Sequence, residues 1–489
     1  MMLKFTNKQF NDLFDNYSMP KHNYDEYFSS QRHPRKLMNG LFPTISNLSM
    51  TQLCQLDKRA KQIFKDNGIS FKVYHNKKSS DHTLPFDLLP RIISSQEWET
   101  IERGLQQRMQ ALNIFLRDIY GSQKIIKEGI IPSWIINSCT DYISCLKDRR
   151  LAGEIPVNIA GFDLIRNTDG AFYILEDNLR TPSGVSYVIE NRQVMRELLP
   201  DWMEDAAIRD VSEYPKILGS TLKSLARHHQ DNPLVVLLTP GPYNSAYFEH
   251  AYLAEKIHCP LVENSDLFVE NQRVYWRSKM GKRQVDVIYK RTDDAYLDAT
   301  FFREDSLLGV DGLVDAHLAG NVVFANALGN GVADDKALYH YVPEIIRFYL
   351  GEEPKIPQIT TYLAANEDDR RYILAHMDKL VIKVVNQSGG YGMLIGPQAS
   401  HAEIRMFRDR ILASPRDYVA QPLIELSTTP TLSKRQLRPC RVDLRTFVLS
   451  GHGKTWVLPG ALTRVTLNED SYIVNSSQGG GSKDTWIME

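Results

Sequence analysis

The chain has 489 residues, of which 43% are hydrophobic, 24% charged and 10% aromatic, a composition that excludes a mainly disordered protein and suits roughly two to four domains. Its 58 Lys and Arg against 59 Asp and Glu leave a formal charge of -1, so no global field draws it to nucleic acid or anionic lipid, and any anionic ligand must be met locally. The start, MMLKFTNKQF, lacks the apolar core of a signal peptide, and the longest aliphatic runs, at 234 to 238 and 381 to 385, are far short of a membrane span. Five cysteines (Cys54, Cys139, Cys145, Cys259, Cys440) without a C-x-x-C suggest neither a disulfide framework nor a zinc cluster, and no His-x-x-x-His occurs. The expectation is a cytoplasmic protein with no membrane and no nucleic-acid partner.

Residues 1–155 read as a mainly helical N-terminal region. Within it Ser94-Ser95-Gln96-Glu97 offers a capping box. Trp98, Ile101, Leu105, Met109, Leu112, Phe115 and Ile119 then recur at steps of three and four until Gly121, a stripe that belongs to a core. Residues 156–230 turn to strands and then to a helix over about 185 to 203 after the turn Pro182-Ser183-Gly184. Residues 231–350 read as an α/β unit, with a buried run at 234 to 238, a helix near 246 to 257 and strands around Leu261 and 285 to 289. Residues 351–489 alternate short strands, a helix near 368 to 377, glycine loops and hairpins.

Three segments carry candidate chemistry. In 161 to 184, GFDLIRNTDGAFYILEDNLRTPSG, two alternating runs flank Asp169-Gly170, a hairpin signal. A two-residue turn pairs Thr168 with Ala171 and sets Asp163 opposite Glu176; a loop of 167 to 170 moves Asp163 by one diagonal on the same face. Alternation puts Asn178 beside Glu176 and turns Asp177 to the other side. Two carboxylates and an amide oxygen on one face suit Mg²⁺ completed by phosphate oxygens, and the same pattern fits a solvated hairpin face.

The second segment, LVIKVVNQSGGYGMLIG, joins Lys383 on a strand to a glycine loop of 386 to 392 whose N–H groups can turn toward phosphates, although no Walker A motif is present. A structural glycine hairpin reads the same way. The third runs from Tyr418 to Val448: Gln421 follows a strand-like start and can offer groups to an adenine edge, and Asp443 and Arg445 share one strand face, which also fits a surface pair. Arg464 and the polar loop of 475 to 481 close the chain. Lys290 and Arg291 end a strand, where the structural reading is the simpler one, and His228-His229 lie on a polar helix end.

Together these motifs resemble the ATP-grasp superfamily in a rotated order: Asp163, Glu176 and Asn178 come first, then Asp335-Lys336, Lys383 with Gly389-Gly390-Tyr391-Gly392, Gln421, and Asp443-Leu444-Arg445. The sequence is therefore similar to the circularly permuted ATP-grasp type 2 family. Glu176-Asp177-Asn178-Leu179-Arg180-Thr181-Pro182 also resembles a stretch of glutathionylspermidine synthetase, a permuted relative.

The resemblance implies an α+β fold, a circularly permuted ATP-grasp with a helical N-terminal region and an α/β pre-ATP-grasp-like domain. It implies ATP and Mg²⁺ as cofactors and a carboxylate-amine ligase working through an acyl phosphate on small-molecule or peptide substrates; the alternatives are an ATP-dependent kinase or a non-catalytic ATP-binding scaffold. It also implies roles. Asp163, Glu176 and Asn178 hold metal, and Lys336 and Lys383 face the α and β phosphates. Ser388, Gly389, Gly390 and Gly392 cover the triphosphate, Gln421 sits at the adenine hinge, and Asp443 belongs to the nucleotide strand. Arg445 and Arg464 meet the γ-phosphate. Arg180, just beyond the metal strand, can pin the substrate carboxylate by a bidentate contact, and a hairpin-end surface arginine reads the same way. Oligomeric state is not implied.

Overall fold

The computed structural model describes residues 13–75, 78–149, 154–204, 206–227, 232–386, 392–451, 453–467, 471–474 and 480–489, with the side chains of 71–83 and 204 outside the description. His228-His229, Ser388, Gly389, Gly390, Tyr391 and most of the 475 to 481 loop lie outside the described residues. No described helix is long and apolar enough to cross a membrane.

The fold is mixed α and β, arranged around an eight-stranded sheet. Its main path runs Phe86–Ser94, Gly481–Met488, Leu462–Val465, Gln436–Gly451, Ile159–Arg166, Phe172–Asn178, and two further strands, Thr428–Ser433 and Lys454–Val457, pair with Gln436–Gly451. Strands nearly 300 positions apart are therefore neighbours. Leu444 pairs with Leu164, Arg445 with Asp163 and Thr446 with Phe162, all antiparallel. The N-terminal region contributes more than helices, because Phe86–Ser94 runs parallel to Gly481–Met488 at the sheet's far edge.

The long helix Ser95–Ile119 packs against this sheet. Its capping box is present: the Ser94 hydroxyl accepts from the Glu97 N–H while the Glu97 carboxylate accepts from the Ser94 N–H, at 3.2 and 3.0 Å. All seven stripe residues from Trp98 to Ile119 are buried, as the spacing requires. Arg108, on the same helix, donates from Nε and Nη2 to the two oxygens of Asp177 at 2.7 Å each. That contact ties the helix to the strand Phe172–Asn178 and fills the face opposite Glu176.

The hairpin turn differs from both expected loops. Arg166 pairs with Phe172, and the Asn167 N–H donates to Ala171 O, so the loop is Thr168-Asp169-Gly170 with Gly170 at φ 84. A three-residue loop alone would displace Asp163 from Glu176. A bulge at Leu175, between the pairs Leu164 with Ile174 and Asp163 with Glu176, restores the expected register. The helix expected over about 185 to 203 is two, Val185–Leu198 and Pro200–Glu204. Pro200 has no N–H and disfavours helical geometry at Leu199, whose φ and ψ are -137 and 52. Gly184 opens the first of these helices at φ 119, and a Cβ there would meet Leu462 Cδ2 at 3.0 Å, so backbone and space both call for glycine.

Two smaller sheets flank the first. Val323–Ala325, Val287–Lys290, Val235–Leu238 and Leu261–Val262 form a parallel sheet, in keeping with the apolar runs read in the sequence. Tyr362–Leu363, Tyr418–Pro422, Leu380–Val384 and Leu394–Ile395 form an antiparallel one that carries Lys383 and Gln421. The segment after Ala325 is bolted to the hairpin by Asn326. Its Oδ1 accepts from the N–H groups of Asn158 and Ile159 at 2.7 and 2.8 Å, and its Nδ2 donates to Ile159 O and Leu179 O at 2.7 and 2.6 Å.

Because Arg108 and Asp177 are both buried, Asp177→Asn leaves a guanidinium without its anion. The expected loss is about 3 kcal/mol of stability, read as a lowered midpoint in denaturant, whereas substitutions at Glu176, on the other face, cost far less.

Candidate functional site

The central sheet delivers a charged ladder to one face. Asp163 lies opposite Arg445, and Asp443 lies opposite Arg464 on the neighbouring strand. Arg445 grips Asp163 with Nε and Nη2 at 2.7 and 2.8 Å, while Arg464 donates from Nη2 to Asp163 at 2.8 Å and from Nε to Asp443 at 2.8 Å. The surface-pair reading of Asp443 and Arg445 fails here: each takes a partner from an adjacent strand, and Asp163, Asp443 and Arg464 are buried. Burial pushes the carboxyl groups up; around Asp163 the two guanidiniums outweigh it and hold the group well below the usual carboxylate range, whereas Asp443 stays above its ordinary value.

Beside the ladder, Glu176 meets Lys336 at 2.9 Å. Burial raises the Glu176 carboxyl, but Lys336 brings it below its ordinary value. Asp335, just before Lys336, caps the helix Lys336–Tyr339 by accepting from the Ala337 N–H at 2.7 Å and holds Arg416 at 2.6 Å, so the pair Asp335-Lys336 splits into an anchor and a probe of the site. Lys383 donates to Gln421 Oε1 at 2.6 Å, and Gln421 Nε2 donates to Thr361 Oγ1 at 2.9 Å. Burial, with Lys336 nearby, lowers the Lys383 ammonium to about 8 against the opposing pull of Glu176 and Asp163.

Of these groups Arg445, Asp335, Arg416 and Thr361 stand outside, and the others line one cleft between the central and the antiparallel sheets. Its charged end holds Asp163, Glu176, Lys336, Lys383, Asp443 and Arg464; its other end is walled by Val381, Ile395, Leu423, Ile424, Leu426 and Val474. Gln421 stands between them with its side-chain oxygen already committed to Lys383. A slot with apolar walls at one end and three cations interleaved with three carboxylates at the other matches a nucleotide base and a phosphate group carried with metal.

Asn178 and Arg180 face a second cavity, which shares Glu176 and Lys336 with the first, together with Asp141 and Asp334. Arg180 is held by Asp141 at 3.4 Å and Asp293 at 3.6 Å. Asp334 accepts from the N–H groups of Leu179 and Arg180 at 2.6 and 3.2 Å, and burial pushes its carboxyl up to about 7. Gly392 is described, at φ 67 just before the strand Leu394–Ile395. Lys290 and Arg291 are buried and serve the fold: Lys290 pairs with Asp294 at 2.6 Å, and Arg291 donates to Pro182 O at 2.7 Å and to the Ser183 hydroxyl.

The donor set bears on metal binding. Among the described residues no three His, Cys, Asp or Glu side chains are grouped to hold a metal ion. Glu176, with hard oxygens at the cleft, fits Mg²⁺, and Asn178 has a buried Nδ2 without a partner among the described residues, which leaves its amide free to choose an orientation. Asp163 fits only once the guanidiniums that grip it turn toward another anion.

The family model that matches this chain, circularly permuted ATP-grasp type 2, spans residues 90–466. The chain belongs to that family and is an ATP-grasp enzyme, in coarse terms an ATP-dependent ligase. It is 46% identical over 471 residues to a protein of Synechocystis sp., covering 96% of this chain and 98% of the other. A Mycobacterium tuberculosis protein is 45% identical, covering 95% of this chain and 84% of its own length. A Frankia alni protein provisionally designated glutamate–cysteine ligase 2-3 is 40% identical over 95% of this chain, which spans 54% of that longer protein. The glutathione synthetase-like effector of Globodera pallida, 10% identical, shares the fold with a TM-score of 0.56 over 91% of this chain and 99% of its own.

Thr361, Asp141, Asp334 and Asn326 escaped the sequence reading. Thr361 precedes the strand Tyr362–Leu363 without a motif, and the acids gather only in three dimensions, although Asp334 adjoins the Asp335-Lys336 pair that was singled out.

The ordinary lysine value lies near 10.4, so between about pH 8 and that value the unfolded chain holds the Lys383 proton while the folded chain has lost it. Stability from this group therefore rises with pH across that window, and affinity for a polyphosphate falls. Calorimetric titration with a non-hydrolysable ATP analogue at pH 7 and pH 9 should show weaker binding at the higher pH, and Lys383→Arg, charged at both, should remove most of the difference.

Proposed function

We propose that this enzyme joins a carboxylate to an amine at the expense of ATP, through an acyl phosphate, with release of ADP and phosphate. The observation that carries the reading is the single cleft in which an apolar slot leads to Lys336, Lys383 and Arg464 beside Glu176. The adenine would lie between Val381, Ile395 and Leu426 with its edge toward the 421 to 424 segment, and the α and β phosphates would face Lys336 and Lys383. The described end of the glycine loop, Gly392, adjoins the same slot through Met393, in keeping with a cover over the phosphates.

Arg445 and Arg464 are the cations for the γ-phosphate. Bidentate guanidinium groups match phosphate geometry, and Asp163 occupies in their grip the place an incoming anion would take. When they turn to phosphate, Asp163 is released beside Glu176 as a second hard ligand. Mg²⁺, when bound by Glu176 with Asp163 and Asn178, supplies charge neutralisation for phosphoryl transfer. The protein's own share is positioning and electrostatics: the ladder presents its cations on a rigid sheet, so little reorganisation is needed as charge moves to the transferred group. The carboxylate oxygen attacks the γ-phosphorus and ADP leaves; the neutral amine nitrogen then attacks the carbonyl carbon, phosphate leaves with the C–O electron pair, and the proton shed by the nitrogen passes to the departing phosphate or to water. The designation of the Frankia relative is in keeping with such chemistry, with an amino-acid or peptide carboxylate as substrate.

Incubation with Mg-ATP and pooled amino acids, short peptides and polyamines, followed by mass spectrometry, should give ADP, phosphate and an amide only when carboxylate and amine are both supplied. Glu176→Gln should lower turnover by at least about a hundredfold, the scale of a lost electrostatic contact to the transition state, with its thermal midpoint nearly unchanged. A phosphorylated product without phosphate release would instead assign a kinase.

A further inference from the structure

The loop that follows the strand Phe172–Asn178 is held from outside the central sheet. Leu179 O accepts from the Nδ2 groups of Asn326 and Asn330 at 2.6 Å each, and Asp334 accepts from the Leu179 and Arg180 N–H groups. Further along stands a buried ion pair: Arg291, at the end of the strand Val287–Lys290, and Glu249, on the helix Tyr247–Lys256, lie 3.4 Å apart. Arg291 donates from Nη1 to Pro182 O at 2.7 Å and from Nη2 to the Ser183 hydroxyl. Glu249 Oε2 accepts from the Gly184 N–H at 2.7 Å and from the Ser186 N–H and hydroxyl at 3.1 and 3.0 Å. One pair of side chains therefore fixes Pro182, Ser183, Gly184 and Ser186.

The other side of that loop meets Arg445. With Nε and Nη2 on Asp163, Arg445 donates from Nη1 to Ser183 O at 3.4 Å. A Cβ on Gly184 would lie 4.0 Å from Arg445 Cδ and 3.0 Å from Leu462 Cδ2, so the loop backbone rests on the stem of the arginine. A buried ion pair adds little net stability over apolar side chains of the same shape; what distinguishes this one is direction, and it points into the loop. We propose that Arg291 and Glu249 are positioning residues for Arg445: by fixing the loop they hold Ser183 O as the pivot about which the guanidinium passes from Asp163 to the γ-phosphate. The inference rests on the reading of Arg445 as a γ-phosphate cation and adds to it the groups that aim the side chain. Neither Arg291 nor Glu249 lines the nucleotide cleft, so their effect passes through the loop.

Calorimetric titration of the full chain with ADP and with a non-hydrolysable ATP analogue, both with Mg²⁺, separates aim from fold. ADP lacks the γ-phosphate and reports the adenine slot with Lys336 and Lys383, so the ratio of the two affinities reports the γ-phosphate contacts alone. The wild type should prefer the analogue. Arg291→Lys keeps a cation beside Glu249 and loses the fork that reaches Pro182 O and the Ser183 hydroxyl together. It should cut the preference at least about fivefold, the scale of a weakened charge-assisted hydrogen bond, while ADP affinity stays within about twofold. Ser183→Ala, which leaves no charge unpaired, should move the ratio the same way, and Ser183→Thr, which retains the hydroxyl, should restore it. A preference that Arg445→Gln removes but Arg291→Lys and Ser183→Ala leave intact overturns the inference. So does equal loss of ADP and analogue binding in those two variants, which makes the pair a support of the fold alone. No preference in the wild type, or one that survives Arg445→Gln, overturns instead the assignment of Arg445 to the γ-phosphate.

Discussion

The grip of Arg445 on Asp163 is the contact on which the site depends. It joins residues 282 positions apart, on adjacent strands, and through Arg464 it extends to Asp443. Removing any member leaves a buried charge unbalanced, which is expensive, so the ladder is either kept whole or handed to another anion. A triphosphate is such an anion. The same geometry thus closes a sheet made from both ends of the chain and presents cations where phosphate is to be met.

Around that ladder the fold is a frame for placing a few groups. The central sheet supplies Asp163, Glu176, Asp443, Arg445 and Arg464, and the antiparallel sheet brings Lys383 and Gln421 across the cleft. The short helix Lys336–Tyr339, capped by Asp335, sends Lys336 to Glu176. Asn326 and the pair Arg108–Asp177 fix the hairpin from two sides, so that the position of Glu176 is set by packing behind it.

Much of this was legible in the sequence, for local reasons. The capping box and stripe of Ser95–Ile119, the pairing of Asp163 with Glu176 and the opposition of Asp177 follow from periodicities of 3.6 and 2, which tertiary packing here leaves intact. The turn did not: a three-residue loop and a bulge at Leu175 cancel, giving the expected register by another route. Pro200, read through as helix, broke it. The partners of the charged strand residues were illegible because they come from strands far away in the chain; alternation gives the face a side chain points to, and only sheet order gives what it meets. For the same reason Asp141 and Asp334 carried no signal as a pair.

The most direct test is a crystal structure of the protein with Mg²⁺ and a non-hydrolysable ATP analogue. Expected are the adenine between Val381, Ile395 and Leu426, the phosphates toward Lys336, Lys383 and Arg464, and the Arg445–Asp163 contact opened in favour of the γ-phosphate and metal. Nucleotide bound elsewhere, or bound in the cleft with its phosphates directed away from the arginine ladder, would contradict the assignment.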